Sequence, residues 1–192
     1  PDWSNRNHIK LKNLTFIDKF TYSIAEKLKS RLNQHKAKSF KTRIRRERVY
    51  FFRILQNYRN YFKKNTLITS IQFLVPLLIH RLGMAKFFIS LLSKGKENKD
   101  LSKILKKNNI NTLIIPSGGA EAEMHYALES CRVSRINSVL IIDNWDNLSS
   151  KSVLINKPDR MMVWGEQMAI HAREIQGMKD NQIYRVGCSR FE

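Results

Sequence analysis

A dense cluster of polar and aromatic side chains follows the apolar run 139–142 in the C-terminal part of the chain. Carboxylates at the end of a buried strand can act as general bases toward a sugar hydroxyl. An indole can stack on a sugar ring, while amides and hydroxyls bind the other hydroxyl groups. We therefore predict Asp143 as catalytic base, with Asp146 as the second candidate. Five neighbours are predicted substrate contacts, namely Asn144, Trp145, Asn147, Ser149 and Ser150.

Two alternatives apply to the same cluster. The carboxylates of Asp143 and Asp146 are also of the kind that cap a loop through Asx-type hydrogen bonds. Lys151, at the end of the cluster, is predicted to meet a phosphate of the substrate, although a surface lysine would have the same sequence pattern. No Ser-His-Asp or metal-binding constellation can be assembled around His125 or His171, and we expect these two histidines to be structural or solvent-facing.

A short glycine-containing turn forms a second candidate site. Ser117, Gly118 and Gly119 lie between a predicted strand and a predicted helix, where backbone amides and the helix N-terminus favour an anion. The pattern matches neither the dinucleotide-binding fingerprint nor the Walker A sequence. Glu121 and Glu123 would oppose an anion there, so a plain tight turn is the alternative.

Alternating strands and helices must position both candidate sites. The apolar runs predict strands at 112–115, 139–142, 161–164 and 183–186, and helices at 120–131 and 166–176. Gly177 is expected to end the second helix in a left-handed conformation. This order predicts an α/β fold with a Rossmann-like parallel sheet, whose ligands bind at the carboxyl ends of the strands.

The net charge of +19 is unevenly distributed along the 192 residues. Up to Ile110 there are 26 lysines and arginines against 6 acidic residues, whereas from Asn111 onward there are 9 against 10. We therefore divide the chain into a basic helical region, 1–110, and a Rossmann-like α/β unit, 111–192. The asymmetry indicates an anionic partner, which is a lipid surface, a phosphorylated substrate or nucleic acid.

The basic region is predicted to be helical throughout. Phe16, Phe20, Ile24 and Leu28 recur every fourth residue, and a long helix is expected within 36–64. The segment 66–92 is the most apolar, and Pro76 would kink or split a helix there. It is either a core helix or an interfacial helix that dips into one leaflet. The cations predicted to contact a membrane or another anion are Lys41, Arg43, Arg45, Arg46, Arg48, Arg81 and Lys86.

Two further predictions concern the surroundings of the protein. Cys131 and Cys188 have no metal-ligand spacing, so we expect no metal, two buried thiols and a reducing, cytoplasmic compartment. Nucleic acid is the less favoured partner, because the aromatic residues are spaced for helix packing rather than for base stacking. No apolar run reaches the length of a membrane-spanning helix, so any membrane contact is expected to be peripheral, on the inner face.

The α/β part resembles a known family along about 80 residues. The matching segments are NTLIIPSGG at 111–119, NSVLIIDNWDNLSSK at 137–151, KPDRMMVWGEQM at 157–168 and NQIYRVGCSRF at 181–191. They are similar to the second half of the N-terminal domain of GT-B-fold glycosyltransferases, notably bacterial surface-polysaccharide and CDP-glycerol-transferase-like proteins. The UDP-N-acetylglucosamine 2-epimerases of the same fold are similar too.

The resemblance implies a function and an incomplete fold. It implies one half of a GT-B fold, namely the acceptor-binding domain of an enzyme of surface-polysaccharide biosynthesis. The enzyme would transfer a sugar from a nucleotide-sugar to a lipid-linked or polysaccharide acceptor. Asp143 falls where the epimerases carry an acidic active-site residue, and Ser117 falls near another of their site positions. We expect a strand before Pro1 and a nucleotide-sugar-binding domain after Glu192, so that this chain binds no cofactor and is inactive alone. The alternatives are a sugar-nucleotide epimerase, or a non-enzymatic module that binds anionic membrane or nucleic acid.

Overall fold

The computed structural model describes residues 14–56, 64–93, 97–117, 122–151 and 153–188. The helices are α1 (Phe16–Leu32), α2 (Lys38–Gln56), α3 (Lys64–Arg81), α4 (Ala85–Ser93), α5 (Lys99–Lys107), α6 (Ala122–Ser134) and α7 (Glu166–Glu174). The strands are β1 (Thr112–Ser117), β2 (Asn137–Ile142), β3 (Arg160–Val163) and β4 (Ile183–Arg185). A π-helical turn, Asn147–Lys151, follows β2, and a short 3-10 turn, Asp180–Gln182, precedes β4.

The four strands form one parallel sheet in the order β1-β2-β3-β4. Thr112 pairs with Asn137 at the start of β1, and Ser117 pairs with Ile142 at its end. Each connection therefore returns the chain to the end of the sheet where the previous strand began, as parallel pairing requires. The predicted α/β class is confirmed, and the sheet is compatible with a Rossmann-like fold.

The main core lies between one face of this sheet and the elements that cross over it. The fully buried residues Leu140, Ile142, Met161 and Val163 alternate along β2 and β3, as the two-residue period of a strand dictates. Among the side chains that pack against them are Met124, Leu128, Leu148, Leu154, Met168 and Ala169. The carboxyl end of β2 is thereby anchored in this core through Ile142.

The helices of the basic region pack on the outer side of the α/β layers. Ile24 and Leu28 of α1 form a second core with Ala85 and Ile89 of α4. The Lys19 ammonium lies 3.3 Å from the Glu123 carboxylate of α6. At the start of α2, Phe40 is buried with Val153 and Ile175, so two of its partners come from the α/β unit. The predicted boundary between 110 and 111 is thus crossed by packed side chains.

Most predicted elements occur close to their predicted positions. The helical stripe of the first segment is confirmed in α1, where Thr15 caps the N-terminus and accepts a hydrogen bond from the Asp18 amide. The φ angle of +69° at Gly177 confirms its place after α7. Of the long helix predicted within 36–64, residues 57–63 lie outside the described part of the chain.

Pro76 was predicted to kink or split a helix in the apolar segment, and the split does not occur. The helix α3 runs through Pro76, whose side chain is fully buried. A proline in a helix removes one backbone hydrogen bond. Burial of the ring among neighbouring side chains offsets that cost, and the helix resumes on the far side. No helix of the described residues is long and apolar enough to cross a membrane.

Candidate functional site

The sheet brings the two predicted sites to one edge. Asp143 directly follows Ile142, and Ile142 pairs with Ser117 at the end of β1. Neighbouring strands lie about 5 Å apart, so the backbones that carry Ser117 and Asp143 are adjacent. The side chain of Ser117 lies outside the described parts of the structure, as do Gly118 and Gly119. The candidate site is therefore the carboxyl edge of β2, next to the end of β1.

The Asp143 carboxylate is held by one hydrogen bond from its own loop. The Asn147 side-chain nitrogen donates to Asp143 Oδ1 at 2.8 Å. Asp143 itself is half-buried, whereas Asn147 is 0% exposed. Asn147 thus lies behind the carboxylate and orients it, rather than facing a ligand at the surface. This bond joins two side chains, so it differs from the Asx-type capping of a backbone amide that was the alternative, and it leaves Asp143 Oδ2 free of that contact.

Among the described side chains of the loop, Trp145 is the most exposed large one. Its relative exposure is 59%, while Asn144 beside it is half-buried. An indole that projects from a fixed loop offers a flat apolar face to a sugar ring. The loop therefore presents a carboxylate, an amide and an aromatic surface within three consecutive residues.

The rest of the loop forms a compact turn. Ser149 donates to the backbone carbonyl of Asp146 through both its amide and its hydroxyl, each at 3.3 Å. The predicted contact of the Ser149 hydroxyl with a substrate would compete with this bond. Asp146 is half-buried. The side chains of Ser150 and Lys151 lie outside the described part of the loop.

Two residues that the sequence did not single out fix this loop to the rest of the fold. Gln176, just after α7, donates to the Leu148 carbonyl at 2.6 Å and accepts from the Leu154 amide at 2.9 Å. The Ser39 hydroxyl of α2 donates to the carbonyl of Ser149. A glutamine that is 2% exposed can satisfy both polar ends only when such partners surround it. No local pattern in the sequence predicts these long-range bonds.

Another carboxylate near the sheet has a structural role. Asp159 Oδ2 accepts from the Ser138 amide at 2.8 Å and from the Ser138 hydroxyl at 2.7 Å. The Asp159 amide donates back to the Ser138 hydroxyl at 3.0 Å. These bonds join the start of β2 to the start of β3, at the edge opposite Asp143. Asp159 is therefore not a candidate for chemistry at the carboxyl edge.

His125 lies in a buried cavity where α1, α4 and α6 meet. Its Nδ1 accepts from the Asn156 amide at 3.3 Å, and its ring packs against Tyr22 with 5.0 Å between centroids. Burial lowers the pKa of His125 from 6.5 to about 3. The imidazole is neutral at physiological pH and packs between helices, as the structural alternative predicted.

A larger, more polar cavity adjoins the one that contains His125. It is lined by Ser90, Ser93, Glu129, Arg132, Asn156 and Lys157, together with Leu128 and Ile155. Its charged groups already have partners within the protein. Arg132 binds the Glu129 carboxylate through two bonds of 2.8 and 2.6 Å, and Lys157 donates to the carbonyl of Gly177. The carboxyl edge of β2 is therefore the better candidate for a ligand.

The predicted membrane or anion contacts lie in α2 and around the turn between α3 and α4. Lys41, Arg45, Arg46, Arg48, Arg81 and Lys86 are exposed, and the side chain of Arg43 lies outside the described part of α2. The Arg48 guanidinium lies 5.8 Å from the ring centroid of Phe52. These cations form no part of the candidate site.

The description of this site is extended neither by a metal centre in the described residues nor by similarity to a known protein. Across the described ranges, no group of three or more histidine, cysteine, aspartate and glutamate side chains is arranged to hold a metal ion. Comparison with protein-family models, curated proteins and solved structures finds no match to this chain. The candidate site is thus defined by its own geometry: a fixed carboxylate at the end of a central parallel strand, beside an exposed indole.

Proposed function

We propose that this chain is the acceptor-binding domain of a GT-B-like glycosyltransferase in surface-polysaccharide biosynthesis. The position of Asp143 carries the proposal. A half-buried carboxylate at the carboxyl end of a parallel strand lies where open α/β folds bind their ligands. The resemblance of 111–119, 137–151, 157–168 and 181–191 to the acceptor-side half of such enzymes points to the same edge.

In the proposed reaction Asp143 acts as the general base. It takes the proton from an acceptor hydroxyl while the hydroxyl oxygen forms a bond to the anomeric carbon of the donor sugar. The bond from that carbon to the oxygen of the nucleoside diphosphate breaks at the same time, and the nucleoside diphosphate leaves with the electron pair. General base catalysis of this type typically contributes 10²- to 10⁴-fold in rate, in order-of-magnitude terms.

The other residues of the loop have distinct roles in this proposal. Asn147 keeps the Asp143 carboxylate in place through the 2.8 Å hydrogen bond. Trp145 stacks on the acceptor sugar, and Asn144 and Ser117 bind its hydroxyls. Gly118, Gly119, Ser150 and Lys151 are proposed to contact a phosphate of the acceptor, and Asp146 remains the second candidate base. The nucleotide-sugar binds on a second domain of the same fold, as in the family that the sequence resembles.

A transfer assay with the natural protein that contains this chain tests the role of Asp143. The protein is incubated with a panel of nucleotide-sugars and lipid-linked or oligosaccharide acceptors, and products are identified by mass spectrometry. We expect Asp143→Asn to lower the rate of sugar transfer by about 100-fold or more, because the amide cannot accept the proton. Asp146→Asn serves to test the second candidate base in the same assay.

The matched control is Asp180→Asn. Asp180 is an exposed aspartate that pairs with Arg173 at 3.2 Å, outside the candidate site. This variant changes the net charge by the same amount and should retain the transfer rate of the unmodified protein. A near-normal rate in Asp143→Asn would remove Asp143 as the base. Epimerised free sugar without any glycoside product would point instead to the epimerase alternative.

A further inference from the structure

Helix α3 carries an exposed apolar stripe along its length. The members are Leu67, Ile71, Leu74, Leu78 and, just past the helix end, Leu82. Their spacing of three or four residues places them on one face of the helix. This face is opposite to Phe73 and Pro76, which are buried. Fifteen residues of helix span roughly 22 Å, so the stripe is long and continuous.

The turn after α3 leads directly into α4, which also carries exposed apolar side chains. Gly83 adopts a φ of +72°, and its amide donates to the His80 carbonyl, which ends α3 sharply. Beyond the turn, Met84, Phe87 and Leu91 are exposed at the same three- and four-residue steps. We refer to Leu67, Ile71, Leu74, Leu78, Leu82, Met84, Phe87 and Leu91 as the α3–α4 apolar face.

Five of the eight residues of the α3–α4 apolar face are more than half exposed, Leu67 at the start of α3 and four from Leu78 onward. Leu78 is 57% exposed, Leu82 71%, Phe87 62% and Leu91 58%. Contiguous apolar surface of this extent on a folded protein marks a site of interaction with a partner or a membrane. The inner sides of both helices are already packed on α1, through Val75 and Ile79 of α3 and through Ala85 and Ile89 of α4, so the exposed face is not needed for that core.

The segment that carries this face contains charges of one sign only. The sequence between Glu47 and Glu97 contains no acidic residue. Arg81 and Lys86 are exposed on either side of the turn. Helix α2, which packs beside α3 through the stacked rings of Phe51 and Phe73, adds the exposed cations Lys41, Arg45, Arg46 and Arg48. An apolar strip whose own segment of the chain carries only cations complements a surface of hydrocarbon beneath anionic head groups.

We propose that the α3–α4 apolar face docks on the surface of an anionic lipid bilayer. Leu78, Leu82, Phe87 and Leu91 enter the boundary between head groups and acyl chains, a depth of about 5–10 Å. Arg81 and Lys86 remain at the level of the lipid phosphates. The helices lie on one leaflet and do not cross it. The inference rests on this surface alone and does not depend on the proposed chemistry at Asp143.

A second copy of the chain fits this face less well than a bilayer. A two-fold contact through the turn would bring Arg81 and Lys86 of one copy close to the same residues of the other, since such an interface uses the same patch twice. Like charges opposed in this way weaken an interface. The absence of acidic residues from Arg48 to Lys96 leaves no carboxylate in this segment to pair with them.

Flotation of the 192-residue chain with vesicles tests the proposal. Two vesicle compositions are used, phosphatidylcholine alone and phosphatidylcholine mixed with phosphatidylglycerol. We expect strong binding to the mixed vesicles and weak binding to the neutral ones. The double variant Leu82→Gln with Phe87→Gln should bind the mixed vesicles at least about ten-fold less, since it removes the inserted apolar side chains. Removal of two cations by Arg81→Gln with Lys86→Gln should weaken binding about 25-fold, at about five-fold for each charge.

Matched controls separate docking from a general effect of hydrophobicity or charge. Ile114→Gln with Val186→Gln removes two exposed apolar side chains of the α/β unit. Lys106→Gln with Lys107→Gln removes two exposed cations of α5. Both control variants should bind the mixed vesicles as the unmodified chain does. Circular dichroism checks that each variant is folded.

A spectroscopic readout keeps the test valid if a double variant fails to fold. An environment-sensitive dye is attached to Phe87→Cys or, as control, to Lys107→Cys, both in a Cys188→Ser background. On addition of mixed vesicles, the emission of the dye at position 87 should shift to the blue, and that at position 107 should stay unchanged. The proposal is overturned if neither dye shifts, or if all variants bind the vesicles equally. It is also overturned if the chain forms dimers that the variant of Leu82 and Phe87 dissociates without any vesicle binding.

Discussion

At the scale of single residues, the orientation of Asn147 has the largest consequence for the site. The sequence placed Asp143 at the end of a strand because an apolar run ends there abruptly. It did not predict that Asn147 points inward, because the direction of a side chain in a loop depends on distant packing rather than on local periodicity. The structure brings the two side chains into a 2.8 Å hydrogen bond. The carboxylate is thereby oriented by a residue that we had expected to meet the ligand.

Replacement of Asn147 should lower the stability of the fold. Asn147→Ala removes a fully buried amide and leaves a gap behind Asp143. We expect the free energy of unfolding to fall by about 2 kcal/mol, in the range for a lost buried hydrogen bond. Urea denaturation measures this, with Asn144→Ala as the control from the same loop. Equal midpoints for both variants would contradict the buried role of Asn147.

Burial of His125 predicts a dependence of stability on pH. The pKa of His125 falls from 6.5 in the unfolded chain to about 3 in the folded protein. Between these values the unfolded state binds a proton that the folded state does not, so stability is full above pH 6.5 and is lost as the pH falls. The expected loss is about 1.4 kcal/mol for each pH unit below 6.5.

Urea denaturation at a series of pH values checks the effect of His125. The variant His125→Asn keeps an acceptor near the Asn156 amide but does not titrate, so its stability should depend less on pH. The difference between the two proteins should grow in favour of the variant as the pH falls from 6.5. Parallel pH profiles for the two proteins would show that His125 is not the source of the dependence.

At the scale of elements, the sequence predicted the strands and helices well because their ends are marked chemically. Proline, glycine and asparagine bound most of the apolar runs, and Asn108 is the C-cap of α5. The π-helical turn Asn147–Lys151 was not predicted, since it is held by Gln176 and Ser39, which are distant in the sequence. The element that carries the candidate site is thus defined by tertiary hydrogen bonds.

Gln176 should therefore be essential for the geometry of the loop. Gln176→Ala leaves the Leu148 carbonyl and the Leu154 amide, both buried, without this partner. We expect destabilisation of about 2–4 kcal/mol, as for two buried groups left unsatisfied. Guanidinium denaturation gives the value, and the emission of Trp145 in a background of Trp3→Phe and Trp164→Phe reports any loosening of the loop. Gln167→Ala, an exposed glutamine on α7, is the control and should change the stability by less than about 0.5 kcal/mol.

At the scale of the whole molecule, the contrast in charge does not coincide with a gap in packing. Composition divides the chain near residue 110, yet Phe40, Lys19 and Tyr22 of the basic region contact the α/β unit. Charge asymmetry reports on the surface of a protein and its partners, whereas cooperativity depends on buried contacts. A sequence alone cannot predict which helices cover which layer, because many amphipathic helices fit one sheet.

The basic helices and the α/β unit should unfold together. Phe40 is fully buried against Val153 and Ile175, so Phe40→Ala should cost about 3–5 kcal/mol. Because Phe40 joins both parts, circular dichroism and the fluorescence of Trp164, in a background of Trp3→Phe and Trp145→Phe, should report one shared transition, shifted to lower denaturant in the variant. Phe52→Ala, an exposed phenylalanine of α2, serves as the control. Two separate transitions, with only the helical one shifted, would show that the parts fold independently.

The most direct test of the proposed function is ligand binding at the Trp145 indole. The chain is labelled with ¹⁵N, its indole signals are assigned with Trp145→Phe and Trp164→Phe, and acceptor oligosaccharides are added in a titration followed by NMR. We predict that the Trp145 signal shifts in a saturable manner while the Trp164 signal does not, and that Asp143→Asn weakens binding at least about ten-fold by removing a charge-assisted hydrogen bond. A Trp145 signal that stays unchanged across the whole panel of acceptors, in a chain that circular dichroism shows to be folded, would contradict an acceptor site at the carboxyl edge of β2.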